Sequence, residues 1–121
     1  ILDEGKHLPY MNGREVFKNA IVRFPQVIQE ALDTNNLTID DVAQIIPHQA
    51  NNRISEAVAR RMGVDMDKVF SNIKNYGNTT AASIPIAMCD ARDKGLFGPD
   101  DIIILAAFGA GFTWASAAIR W

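Results

Sequence analysis

The run Ile102-Ile103-Ile104-Leu105-Ala106-Ala107-Phe108 constrains what this chain can fold into more than any other feature. A short, continuous apolar run bounded by turn residues reads as a buried strand. Successive side chains of a strand point to opposite faces, so a run this uniform must be covered on both. A sheet covered on both faces needs helices packed on it.

The rest of the chain supplies them. From Arg14 to Leu32 the apolar residues Val16, Phe17, Ala20, Ile21, Phe24, Val27, Ile28, Ala31 and Leu32 recur at intervals of three and four, which predicts one amphipathic helix. Pro25 lies inside it and should kink it, because proline lacks an N–H and its ring meets the carbonyl of Ile21. Asn35 and Asn36 favour a stop. Thr38 with Asp41 suits the cap of a very short helix. Val42 to Pro47 reads as a buried strand with His48 at its C-terminal end. Asn51 or Asn52 can cap a second helix whose apolar face is Ile54, Ala57, Val58 and Met62, stopped by Gly63. Val69 to Ile73 reads as a short strand, and Asn75-Tyr76-Gly77-Asn78 as a turn or loop. A third helix is predicted from about Ala81 to Lys94, with Ile84, Ala87, Met88 and Ala91 on one side. Pro85 is tolerated in its first turn, and Gly95, Gly98 and Pro99 end it. After the apolar strand, Gly109-Ala110-Gly111 makes a tight turn into a last strand, Phe112 to Trp121. Residues 1 to about 12 lack periodicity and read as a loop, with His7 a surface or loop residue. The order α-β-α-β-α-β-β predicts an α/β chain of one domain, with a mixed sheet packed with helices.

The chain has 121 residues, 48% hydrophobic and 21% charged, enough to bury a core without disulfides or a structural metal. Its net charge of -2 gives no reason to expect nucleic acid or an anionic membrane as partner. No segment approaches the roughly 18 consecutive apolar residues of a membrane span. Ile1 to Lys6 lacks the basic start and apolar run of a signal peptide. The single cysteine, Cys89, excludes an intrachain disulfide and a multi-cysteine zinc site, and it fits a reducing cytoplasm. It stands on a helix with no base near it in sequence, so it reads as a packing residue, not a nucleophile. The chain does not begin with Met, and we expect it to have been cut from something longer.

Three strings stand at the C-terminal ends of predicted strands or just beyond them, the edge where ligands of open α/β sheets bind. They are Pro47-His48-Gln49-Ala50-Asn51, Tyr76-Gly77-Asn78-Thr79-Thr80-Ala81-Ala82-Ser83-Ile84-Pro85, and Ala107-Phe108-Gly109-Ala110-Gly111-Phe112-Thr113-Trp114. With the flanking Met11-Asn12-Gly13-Arg14-Glu15-Val16-Phe17-Lys18 and Ile119-Arg120-Trp121, they resemble the C-terminal half of the 3-oxoacyl-(acyl-carrier-protein) synthase III family of thiolase-fold condensing enzymes. The likeness covers essentially the whole chain. Members of that family are well over twice this length, and their site is shared between two thiolase-type halves. The Cys that becomes acylated belongs to the N-terminal half, at a helix N-terminus that favours its thiolate. The resemblance thus implies that residues 1–121 are one catalytic half-domain, without the Cys-bearing half.

The reaction that the resemblance implies is a decarboxylating Claisen condensation of acyl-CoA with malonyl-ACP, the first condensation of fatty-acid biosynthesis. His48 and Asn78 would each aim a neutral N–H at the malonyl thioester oxygen, and one such donor in a dry site is typically worth ~3 kcal/mol. Periodicity alone leaves His48 a satisfied histidine at a strand end, and Asn78 a turn residue chosen for positive φ. Phe108, Gly109, Ala110 and Gly111 would form an active-site loop whose small residues admit a ligand and whose backbone N–H can serve an oxyanion hole. The alternatives there are a plain turn and a core aromatic. The family has three consecutive glycines in this loop; Ala110 keeps a backbone donor provided its φ stays negative. Arg53 and Arg60 share one helix face, flanked by Arg61. With Lys18 they match contacts to the acidic acyl carrier protein, which a basic face would steer; the alternative is a solvated helix face. Asn51 matches a position beside the pantetheine arm of CoA, and Met11 and Phe17 are candidates for the tunnel or for the core. The resemblance implies no metal, no cofactor beyond the two substrates, a cytoplasmic location, and a homodimeric parent. Two other readings are a secondary-metabolite or alkylquinolone-type synthase of the same fold, and a non-catalytic scaffold module. Phe112-Thr113-Trp114 and the arginines favour the fatty-acid member; the His48/Asn78 pair argues against the scaffold. Alone, such a half should be inactive, and its exposed mating face should promote self-association.

Overall fold

The apolar run forms β2, Ile102–Gly109, the middle strand of a three-stranded sheet ordered β1-β2-β3. β1, Val42–Pro47, pairs with it in parallel, and β3, Thr113–Arg120, antiparallel, so the sheet is mixed as predicted. The computed structural model describes residues 4, 5, 8 and 10–121; His7 lies outside the described residues.

β2 alternates between two cores. Ile102, Ile104, Ala106 and Phe108 meet Ala20, Phe24 and Ile28 of α1, Gly13–Thr34, and Val58 of α2, Asn52–Met62. On the other face Ile103 joins Ile46, Phe70 and Phe97 with Ala87 and Ala91 of α4, Ser83–Asp93, and Leu105 packs beside them. Burying one Ile or Phe side chain contributes about 1.5–3 kcal/mol, and both sides of β2 collect that gain. This two-sided burial is why the run contains no polar residue.

Local chemistry sets the helix ends. The Asn12 side chain accepts from the Glu15 N–H at 3.3 Å to cap α1, which runs unbroken through Pro25. At its far end the Asn35 amide donates to the Ala31 carbonyl at 2.8 Å. Asn51 caps α2 by accepting from the Arg53 N–H at 2.9 Å, and Gly63 ends it at φ 69, a left-handed cap that favours glycine. Ile39–Asp41 is the predicted very short helix, a 3₁₀ turn. The Asp41 carboxylate accepts from the Thr38 N–H at 2.7 Å and its hydroxyl at 2.8 Å, bonds that hold its pKa below the usual carboxylate value.

Three expectations need correction. Val69 to Ile73 is not a strand. Only Val69 bridges Ile45, the Phe70 N–H donates to the Ile45 carbonyl at 2.9 Å, and Ile73–Tyr76 is a single helical turn, α3. Gln49, 1% exposed, explains this: its amide donates to the carbonyls of Pro47 and Phe70 at 2.7 and 3.2 Å, and its side-chain carbonyl accepts from the Asn72 N–H at 3.0 Å. A side chain has taken the backbone groups that a strand ladder would use. The main elements therefore run α-β-α-α-α-β-β, and the predicted turn shrinks to Gly77 and Asn78 because Asn75 and Tyr76 belong to α3. Cys89 is exposed, not packed. It sits two residues from Ala87 and from Ala91, both buried, and two helical residues are about 200° apart. The predicted row Ile84, Ala87, Met88 and Ala91 does face the second core. Among the described residues, no helix is long and apolar enough to cross a membrane.

Candidate functional site

β1 and β2 are parallel, so Pro47 and Gly109 end at the same edge of the sheet. His48 extends the β1 ladder by one residue, its backbone N–H donating to the Ala106 carbonyl at 2.8 Å. The imidazole is half-buried, and its Nδ1 lies 2.5 Å from Oγ of Ser83, the first residue of α4. Burial pushes the His48 pKa below its ordinary 6.5, so the ring is neutral at pH 7. The Asn78 side-chain carbonyl accepts from the Thr80 N–H at 2.9 Å. That local turn uses the acceptor end of the amide and leaves Nδ2 as the donor end. Thr80 pays a backbone cost for it: φ 52 is strained for a β-branched residue, by about 1–3 kcal/mol.

The β2–β3 turn closes the site. Ala110 is not among the described non-glycine residues with positive φ, so the condition for keeping its backbone donor is met. Gly111 has no such latitude: at φ 143, a Cβ would lie 2.8 Å from Cγ2 of Thr113.

Two cavities meet at these residues. One, of about 460 Å³, lies between α1, α2 and the loop, with Met11, Val16, Ala50 and Ile54 among its walls. The other, of about 650 Å³, is walled by Thr80, Ile84 and Trp114. His48, Asn78, Phe108, Gly109 and Ala110 line both. Both volumes are of small-molecule size. With its proton on Nε2, a neutral His48 ring would join the Asn78 amide as a second N–H donor at this junction, and two such donors can stabilise negative charge developing on one oxygen.

Phe108 turns out to be wall and core together. It is 8% exposed, its ring centroid lies 6.4 Å from Phe24 and 5.1 Å from Phe112, and it stacks on Trp114 at 6.5 Å. The Arg23 guanidinium sits 4.5 Å from the Trp114 ring centroid, a cation–π contact. Arg23 was not singled out from sequence, and Trp114 only within the string Phe112-Thr113-Trp114, since their contact exists only once the sheet and α1 bring them together. Met11, 71% exposed, lines the smaller cavity. Phe17 does not; it packs against the first core with the Arg53 guanidinium 5.3 Å from its ring centroid, and Val16 takes the cavity position. Asn51 caps α2 while its neighbour Ala50 lines the cavity. Lys18, Arg53, Arg60 and Arg61 are exposed on α1 and α2. Arg60 and Arg61 also occupy the last turn of α2, where cations suit the helix dipole. Among the described residues, no three His, Cys, Asp or Glu side chains are grouped to hold a metal ion.

The family model described as "3-Oxoacyl-[acyl-carrier-protein (ACP)] synthase III C terminal" matches residues 32–121. The beta-ketoacyl-[acyl-carrier-protein] synthase III of Roseiflexus sp. (strain RS-1) is 49% identical over 121 residues, covering 100% of this chain and 37% of that protein. A solved synthase III from Thermus thermophilus superposes with a TM-score of 0.90 at 45% identity, over 93% of this chain and 35% of that one. One from Aquifex aeolicus VF5 gives 0.89 at 42% identity, over 93% and 36%. The chain thus spans little more than a third of the length of these relatives, 37% of the first.

Proposed function

The chain belongs to the 3-oxoacyl-[acyl-carrier-protein] synthase III C-terminal family, and we propose that it supplies the decarboxylation half of a condensing site completed by a second, Cys-bearing half. One observation carries the reading. The Nδ1 of His48 and the Oδ1 of Asn78 are each occupied by a partner within the chain, so Nε2 and the Nδ2 amide are the polar groups these side chains keep for the cavities they share.

In this reading an acyl group first passes from CoA to the cysteine thiolate of the other half, and CoA leaves as its thiolate. Malonyl-ACP then places its thioester oxygen between His48 Nε2–H and Asn78 Nδ2–H. As the bond to the carboxylate breaks, its electron pair forms the enolate, CO2 departs, and the two donors stabilise the charge on oxygen. The enolate carbon attacks the acyl thioester, expels the cysteine thiolate and leaves 3-oxoacyl-ACP. No proton has to leave carbon, so a neutral His48 suffices and no metal or cofactor is needed. The cleft of about 460 Å³ would take the pantetheine arm. Backbone donors of Gly109 to Gly111 would border the reacting thioester. Lys18, Arg53, Arg60 and Arg61 would receive the acidic carrier protein. We place the reaction at the initiation of fatty-acid synthesis, in the cytoplasm, in a homodimeric parent.

The test uses the full-length enzyme. His48→Ala and Asn78→Ala should each slow malonyl decarboxylation by roughly 10²–10³-fold, the usual cost of one oxyanion donor. Cysteine acylation, followed as release of CoA in a single turnover, should stay near wild type. Equal loss of both half-reactions would mean the donors were misassigned.

A further inference from the structure

Ser83 is 2% exposed and opens α4, yet its hydroxyl reaches a residue 35 positions earlier. The Oγ has two recorded neighbours. The backbone N–H of Gln49 donates to it at 3.2 Å, and Nδ1 of His48 lies 2.5 Å away. A backbone N–H can only donate, so Ser83 is the acceptor in the first of these bonds. That leaves its own proton to place, and a buried hydroxyl proton without an acceptor is costly. Among the described residues, Nδ1 of His48 is the only recorded acceptor for it. An imidazole nitrogen accepts only when bare, and in a neutral ring the proton must then sit on the other nitrogen.

We infer that Ser83 is a positioning residue that locks His48 in the Nε2–H tautomer through the chain Gln49 N–H to Ser83 Oγ–H to His48 Nδ1. The opposite tautomer would present a lone pair at Nε2, which repels a developing oxyanion. Gln49 anchors the chain because its side chain is tied to Pro47, Phe70 and Asn72, so its backbone N–H is held in place. Ser83 also starts the helix that follows Asn78 and Thr80, so the segment that places one donor carries the hydroxyl that orients the other.

This rests on the decarboxylation reading for its consequence, but its test is read separately, on the imidazole. Full-length protein labelled with 15N-histidine reports which ring nitrogen carries the proton, and the His48 signals are assigned by their absence in His48→Ala. The wild-type ring should be protonated at Nε2 and bare at Nδ1. In Ser83→Ala it should become a mixture of tautomers, and malonyl decarboxylation should fall roughly tenfold, the scale of one neutral hydrogen bond. Ser83→Thr, which retains a hydroxyl, should restore both the tautomer and the rate. A wild-type ring protonated at Nδ1 overturns the inference, and so does an unchanged ring in Ser83→Ala. If His48→Ala instead decarboxylates normally, the functional reading fails while the ring spectrum still decides the role of Ser83.

Discussion

His48 has to be uncharged, oriented and within reach of a ligand at once, and three separate contacts meet those demands. The Ala106 carbonyl holds its backbone, Ser83 meets Nδ1, and partial burial lowers its pKa from 6.5. The sign of the pH effect follows. With the folded pKa below the unfolded value, the unfolded chain binds the proton more readily. The contribution of His48 to stability is therefore complete above pH 6.5 and is lost as pH falls through the folded pKa. Malonyl decarboxylation by the full-length enzyme should accordingly show no His48 limb above pH 6.5; a pH–rate profile bending above that value in wild type, but not in His48→Ala, would contradict a buried neutral ring. His48 and Asn78 could be named from the strings around them. Ser83 lay inside one of those strings, but nothing local to it shows that its hydroxyl faces an imidazole.

The strands and helices were legible where burial is periodic along one segment. β1 has the predicted bounds, Val42–Pro47, and α1 and α2 carry their apolar stripes into one core. Periodicity failed at Val69 to Ile73, where a stretch able to form a strand meets a glutamine side chain that satisfies its backbone instead. Gln49 is therefore a structural element in miniature. Replacing it by Leu would leave the Pro47 and Phe70 carbonyls and the Asn72 N–H without their partner. We expect Gln49→Leu to cost about 2–4 kcal/mol, since each buried group left unpaired costs about 1–3 kcal/mol and partial rehydration offsets some of it. Urea unfolding of the full-length protein measures this, and a midpoint equal to wild type would show that the network is dispensable.

The whole molecule presents large apolar side chains around the two cavities that meet at His48: Tyr10 is 89% exposed, Met11 71%, Phe112 42% and Trp114 37%. Contiguous apolar surface of this kind drives association. Residues 1–121 alone should therefore sediment as a concentration-dependent mixture and should take up no acyl group from acyl-CoA, because Cys89 stands exposed on α4 and lines neither cavity. A strictly monomeric chain in analytical ultracentrifugation, or an acylated Cys89 in intact-mass spectra, would contradict this picture. What the sequence determined by itself is the set of properties that act over a few residues: the 3.6-residue stripes of α1 and α2, a cap for α2 at Asn51 or Asn52, the uniform run of β2 that demands two covered faces, and the strings that point to His48 and Asn78. Only the tertiary structure decided that Gln49 replaces a strand, that Cys89 faces outward, that Phe108 serves core and cavity together, and that Ser83 meets His48. The roles of Gln49 and Ser83 depend on hydrogen bonds between residues 21 to 35 positions apart, and that of Phe108 on packing against Phe24 of α1; such partners exist only once the parallel pairing of β1 with β2 has brought their ends to one edge.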